Sequence, residues 1–341
     1  MKLLYPLIVL LFLWGIPGAV LAQEAPLRVV ATTTLIADVA RQVGGDLVEV
    51  TSIIPPDSDV HAFRPAPQDA VVISRAKVIL VNGANLEEGL LTLVEGAASV
   101  PLTVVSNGVP MLAFGDHAAE AEDDREHRAA IYAGILGVDT DCGDRQAHDD
   151  EAHPEDEPAA DEHGACDPHV WQNPQNVMVW ADNIAEAFAA ADPVNAATYR
   201  ANAAAYKDQL AVLDAELEAL FNAIPQDRRV IVTNHEFLGY LAARYELEVI
   251  DTVIPSLSTL AEPAPQDMAR LIEVIQNRGV RAVFVEASDP GRLAAVIAEE
   301  AGEVAVVTLF SGSLSAPDGP AGTYLDYMRA NAQAITAALG G

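Results

Sequence analysis

Arg28-Val-Val-Ala-Thr-Thr-Thr34 is an apolar run of strand length. It passes directly into Leu35, Ile36, Val39, Ala40 and Val43, apolar positions that recur at helical spacing until Gly44-Gly45 stops them. That is one β-α unit, and the pattern repeats outward from it. Val48 to Ile54, Val78 to Val81 and Leu102 to Val105 read as further strands, with Ala66 to Arg75 and Leu86 to Gly96 as helices between them. Strands alternating with helices predict an α/β lobe built on a mainly parallel sheet.

The second half repeats the alternation after two long helical segments. Asn173 to Ala190 has a helical pattern, Asp192-Pro193 marks a fresh start, and Val194 to Ala223 runs on without proline or glycine. A helix of about thirty residues would extend about 45 Å, longer than one lobe needs. Such a helix is long enough to bridge two lobes. Strands at Arg229 to Thr233, Glu248 to Asp251, Ala282 to Glu286 and Val304 to Leu309 alternate with helices at Phe237 to Tyr245, Pro265 to Arg278, Gly291 to Ala301 and Gly322 to Leu339. The expected division is a leader at residues 1–22, an N-terminal lobe at 23–192, the linking helix at 193–224 and a C-terminal lobe at 225–341. No sequence repeat relates the lobes.

Composition narrows the function. Of 341 residues, 51% are hydrophobic and 50 acidic residues face 19 basic ones, for a net charge of −31. Such a chain folds, and it repels nucleic acids and anionic bilayers, so neither is an expected partner. Met1-Lys2, the apolar stretch Leu3 to Ile16, and Val20-Leu21-Ala22 before Gln23 read as a secretory signal peptide. The mature protein is expected outside the cytoplasm, as a monomer.

Between Asp116 and Asp167 the alternation breaks. Eighteen Asp or Glu face three Arg there, with five of the eight histidines: His117, His127, His148, His153 and His163. With few large apolar residues to bury, this stretch is expected to remain a loop. Its chemistry suits either a solvated tether or a weak divalent-metal sink. Cys142 and Cys166 flank its most acidic part, and an oxidising compartment favours a disulfide between them. Cys166 and His169, spaced C-x-x-H, are an alternative zinc pair.

The other histidines each stand where an element meets a connection. His61 lies in Pro55-Pro-Asp-Ser-Asp-Val-His-Ala-Phe-Arg-Pro65, His169 in Cys166-Asp-Pro-His-Val-Trp-Gln-Asn-Pro174, and His235 in Thr233-Asn-His-Glu-Phe237 after an apolar strand. Open α/β sheets bind ligands outside the carboxyl ends of their strands, where His61 and His235 fall by sequence order. Neutral imidazoles are favoured ligands for zinc and its neighbours, and Asp59, Asp167 and Glu236 are acceptors placed to orient them. Imidazole ligands must be unprotonated, so affinity should fall below about pH 6.5.

Together, Arg64-Pro-x-Pro-x-Asp69 after His61, Asp167-Pro-His-Val-Trp171, Thr233-Asn-His-Glu-Phe237 and Tyr324-Leu-Asp-Tyr-Met-Arg-Ala-Asn331 resemble the zinc- and manganese-binding solute-binding proteins of bacterial ABC transporters. The resemblance implies two α/β lobes with mainly parallel sheets joined by one long rigid helix, a metal held between the lobes and a membrane permease as partner. It implies His61, His169 and His235 as ligands and Zn(II) as the cargo, since manganese-type members usually carry glutamate at the third position. It also implies a fourth ligand, an aspartate, where this chain has Gly312; Glu286, ending a strand, is the preferred substitute. Two other classes remain open. A three-histidine site with an open position suits a zinc hydrolase, although His-Glu-x-x-His and the nucleophile elbow are absent. A surface adhesin is the other, since one fold hosts several functions.

Overall fold

The computed structural model describes residues 25–84, 86–112, 166–254, 259, 263–288, 291–302 and 304–340. The leader, Cys142 and all but the last residues of the acidic histidine-rich stretch lie outside them.

The first lobe contains strands β1 (Leu27–Ala31), β2 (Val48–Ser52), β3 (Val78–Val81) and β4 (Leu102–Val104), with helices α1 (Thr34–Gly44), α2 (Pro67–Ser74) and α3 (Glu88–Ala97). The sheet is parallel throughout, in the order β2-β1-β3-β4. The opening strand ends three residues earlier than its apolar run, because Thr33 leaves the sheet to cap α1, its hydroxyl accepting from the Ile36 N–H at 3.3 Å. At the other end, Gly45 takes φ +54°, the left-handed turn that releases the chain toward β2. The Arg64-Pro-x-Pro-x-Asp69 segment is a helix start: Asp69 Oδ2 accepts from the Ala66 N–H at 2.7 Å, and Pro67 opens α2.

The second lobe contains β5 (Val230–Thr233), β6 (Glu248–Thr252), β7 (Ala282–Glu286) and β8 (Ala305–Leu309), again all parallel, in the order β6-β5-β7-β8. This is the same winding as the first sheet, a topological repeat that the sequence conceals. Between the lobes run α4 (Pro174–Ala191) and the 27-residue α5 (Ala196–Asn222), about 40 Å long. Helices α6 (Gly239–Tyr245), α7 (Pro265–Arg278), α8 (Arg292–Ala301) and α9 (Tyr324–Gly340) complete the described elements.

One finding departs from a picture of two separate cores. Buried residues of β1, β3, α1, α4 and α5 form one continuous apolar cluster with Ile231, Phe237, Tyr240, Phe284, Tyr324 and Tyr327 of the second lobe. Only the far side of that lobe, including Val232, Leu271, Val283 and Ile297, forms its own cluster. Helix α5 explains the fusion: Tyr199, Ala203, Tyr206, Leu210, Leu213, Leu217 and Phe221 recur every three or four residues on a buried stripe that serves both lobes. The lobes are thus set against each other by close packing, which resists free hinge motion.

Candidate metal centre

Three loops converge where the lobes meet. His61 follows β2, His169 precedes α4, and His235 follows β5, four residues before α6 begins at Gly239. Sequence periodicity starts the last helix at Phe237; the structure holds residues 234–238 in an irregular turn and starts it at Gly239. That turn seats the His235 ring against Phe237, stacked at 5.1 Å between centroids.

The three imidazoles face one another. Their centroids lie 5.2, 5.4 and 5.5 Å apart, His61 Nε2 stands 3.1 Å from His169 Nε2, and one nitrogen from each ring lies within 4.8 Å of the other two. Zinc–nitrogen bonds of about 2.0–2.1 Å place tetrahedral ligand atoms roughly 3.3 Å apart, so the geometry suits one shared ion. His235 is fully buried, yet neither of its ring nitrogens has a hydrogen-bond partner among the described residues. Buried nitrogens left in this way are rare, and a metal ion held among the three rings would supply the missing partner.

Each ring is aimed by neighbours. Asp167, itself fully buried, accepts the His169 main-chain N–H at 2.9 Å and the ring Nδ1 at 2.7 Å through the same oxygen. Nδ1 therefore carries the proton and Nε2 keeps its lone pair for a ligand. Replacing Asp167 with asparagine is expected to weaken metal binding roughly 10–100-fold in a calorimetric titration; an unchanged affinity would show that the tautomer needs no help. Asp59 acts differently from expectation. It accepts the main-chain N–H groups of His61 at 2.8 Å and Ala62 at 3.3 Å, shaping the turn instead of holding the ring, and Thr259 of the second lobe donates to its other oxygen. Glu236 is half-buried beside the site.

Glu286 ends β7, next to β5 in the sheet, and its carboxylate Oε2 lies 3.7 Å from His235 Nδ1. Its oxygens are not among the ligand atoms that gather within 4.8 Å, a group formed by the three imidazoles alone. Gly312 also has a structural reading: a Cβ there would meet Val60 Cγ2 at 2.7 Å, so the space for a side chain is filled by the residue preceding His61. The C-x-x-H alternative fails, because no cysteine among the described residues is free and no sulfur belongs to the group. Residues that sequence reasoning missed include Tyr240, which accepts the Leu112 N–H at 3.0 Å and donates to the Asp167 carbonyl at 2.9 Å. Asn82 likewise donates to the Pro168 carbonyl at 3.1 Å. Both tie down the loop carrying His169, and neither sits in a motif that marks it.

Burial holds His61 down to about 4, with the neighbouring His169 pushing the same way, and holds His235 well below the ordinary imidazole value, with His169 and His61 adding to it. Both rings are neutral at pH 7 and ready to ligate. Proton competition at His61 accordingly sets in near 4, not near the 6.5 expected of a free imidazole. Folding of the metal-free protein carries the corresponding dependence. The unfolded chain takes up this proton near 6.5 and the folded ring only near 4, so the stability His61 contributes is intact above about 6.5 and is lost as pH falls toward 4. The loss is on the order of 3 kcal/mol when complete. Urea midpoints of wild type and His61→Gln at pH 7.5 and 5 test this; the wild type should lose more, and equal losses would refute it.

Two α/β lobes with parallel sheets, a linking helix and three histidines converging where the lobes meet make a two-lobed fold with a candidate metal centre in its crevice. The family described as zinc-uptake complex component A, periplasmic, matches residues 29–338, and the chain belongs to it. The iron-binding protein YfeA of Yersinia pestis is 28% identical over 331 residues, covering 95% of this chain and 92% of that one. The manganese ABC transporter substrate-binding lipoprotein ScaA of Streptococcus gordonii is 29% identical over 318 residues, 93% and 90% of the two chains. In fold, the periplasmic zinc binding protein TroA of Treponema pallidum superposes with a TM-score of 0.71 at 23% identity, covering 93% of this chain and 100% of that one. The chain is an extracytoplasmic receptor that binds a metal ion and works with a membrane permease; it is not an enzyme. No helix among the described residues is long and apolar enough to cross a membrane.

Proposed function

We propose that this receptor captures Zn(II) between its lobes through His61, His169 and His235, with Glu286 as the candidate fourth donor, and delivers it as a monomer to its permease. The observation that carries the reading is the meeting of three imidazoles, two buried and one half-buried, whose donor atoms lie within 4.8 Å of one another. A set of neutral nitrogens with at most one carboxylate favours tetrahedral zinc, whereas manganese prefers more oxygen ligands and higher coordination. Relatives named for iron and manganese make those ions the competing cargoes. No observation favours the adhesin alternative.

Calorimetric titration of the metal-free protein with Zn(II), Mn(II) and Fe(II) tests the assignment. One tight zinc equivalent is expected, with manganese at least 100-fold weaker; manganese binding as tight as zinc would reverse it. Deleting Asp116 to Cys166 should leave the tight equivalent and remove weaker ones, while loss of the tight site would place a ligand in that stretch. We further propose that Cys142 pairs with Cys166, as an oxidising compartment favours; the intact mass before and after reduction and alkylation tests the bond. The division into residues 23–192, 193–224 and 225–341 is retained as the working domain scheme.

A further inference from the structure

We propose that the second-lobe segment Ser311 to Leu314 is the positioning element of the metal centre, and that Gly312 is required for its close seat against Val60. This rests on the metal-receptor reading above. The segment follows β8 and crosses to the first lobe, where it touches two of the three histidine loops. Its Leu314 carbonyl accepts the Asp57 N–H at 3.0 Å, Ser313 Oγ accepts the Ser58 N–H at 3.1 Å, and the Leu314 N–H donates to Thr34 Oγ1 at 2.8 Å. Its Ser311 carbonyl accepts the indole N–H of Trp171, two residues beyond His169, at 2.8 Å, and the Tyr327 hydroxyl at 2.8 Å. Residues 311–315 are all buried.

Gly312 lies in the middle of these anchors, over Val60. A Cβ at position 312 would come within 2.7 and 2.9 Å of the two Val60 methyls and 3.3 Å of Val60 Cβ. Val60 is only 6% exposed, and its β-branched side chain has little rotamer freedom with which to yield. A methyl group at 312 must therefore push the Val60 backbone, and His61 is the next residue. The segment contributes no His, Cys, Asp or Glu to the ligand group; it sets where His61 stands relative to His169, whose Nε2 atoms lie 3.1 Å apart. Ligand rings displaced by even half an ångström lose much of their shared geometry.

The test is a zinc titration of wild type, Gly312→Ala, Val60→Ala and the double variant, with His235→Ala as the control for the site itself. Gly312→Ala is expected to lose at least tenfold in affinity, and Val60→Ala supplies the reference for the double variant. The double variant, in which the new methyl finds the space vacated by valine, should recover to within about threefold of Val60→Ala. A Gly312→Ala protein that binds like wild type, or a double variant as weak as Gly312→Ala, overturns the proposal. Should Gly312→Ala lack the wild-type circular dichroism spectrum, Ser313→Ala is read in its place. It removes only the acceptor for Ser58, and an affinity equal to wild type would overturn the proposal as well. Undiminished zinc binding by His235→Ala would instead sink the metal-site reading, which distinguishes the two failures.

Discussion

Replacing His235 with alanine is expected to abolish tight zinc binding, with a loss of at least about 1,000-fold, well beyond the roughly 10–100-fold that outer residues of a metal site usually command. The ring is fully buried, its nitrogens have no hydrogen-bond partner among the described residues, and it closes a triangle with His61 and His169. Without it only two imidazoles would be left to hold the ion, and Glu286 would face the space beside Phe237 that the ring had filled. The free protein should lose little stability by comparison. The wild-type fold already buries an uncharged imidazole without partners, a cost of the order of 1–3 kcal/mol per unsatisfied group that the alanine variant escapes. Measured side by side, calorimetry should show the tight isotherm gone and circular dichroism should show the helices intact. Retention of the tight isotherm would remove His235 from the ligand set.

The second large effect concerns the linking helix. Asp214 on α5 is nearly buried and accepts four hydrogen bonds: from Gln175 of α4 at 3.1 Å, from Arg244 of α6 at 3.1 and 2.7 Å, and from the Tyr245 hydroxyl at 2.8 Å. One carboxylate thereby joins the helix that links the lobes to both of its neighbours. Asp214→Ala leaves the Arg244 guanidinium, itself mostly buried, with only Glu218 at 3.6 Å. Removing one partner of a buried ion pair costs about 3–5 kcal/mol because the other charge stays behind uncompensated. We expect about 3 kcal/mol here, since Glu218 compensates in part. Urea unfolding should show that drop, and Asp214→Asn, which keeps the shape and an acceptor oxygen, should lose less. A loss under about 1 kcal/mol for the alanine variant would mean that apolar packing along α5 alone holds the lobes together.

Much of the fold was legible because burial leaves a periodic trace in neighbouring residues. Val29 to Ala31 and Val78 to Val81 are buried strands with the expected apolar runs, and α5 carries its buried stripe at the expected spacing. Boundaries were less legible where a side chain competes with the backbone pattern. Thr33 caps a helix from within what reads as strand, and Phe237 and Leu238 sit in an irregular turn where the periodicity suggests helix. The sheet order shared by both lobes has no sequence counterpart, since topology does not require similar residues.

The candidate site divides along the same line. His61, His169 and His235 stand out in the sequence as candidates, each at the junction of an element with a connection and each near acid, proline or asparagine, because imidazole carries its chemistry in the residue type. Their convergence, the choice of Asp167 over Asp59 as the ring's partner, the 3.7 Å approach of Glu286 to His235 and the seat of Gly312 on Val60 were decided only by the tertiary structure. The reason is physical: residue type and local period determine what a side chain can do and which face it lies on. Contacts between residues 57–60 and 311–314, some 250 positions apart, follow only from how two sheets and one shared core close upon each other.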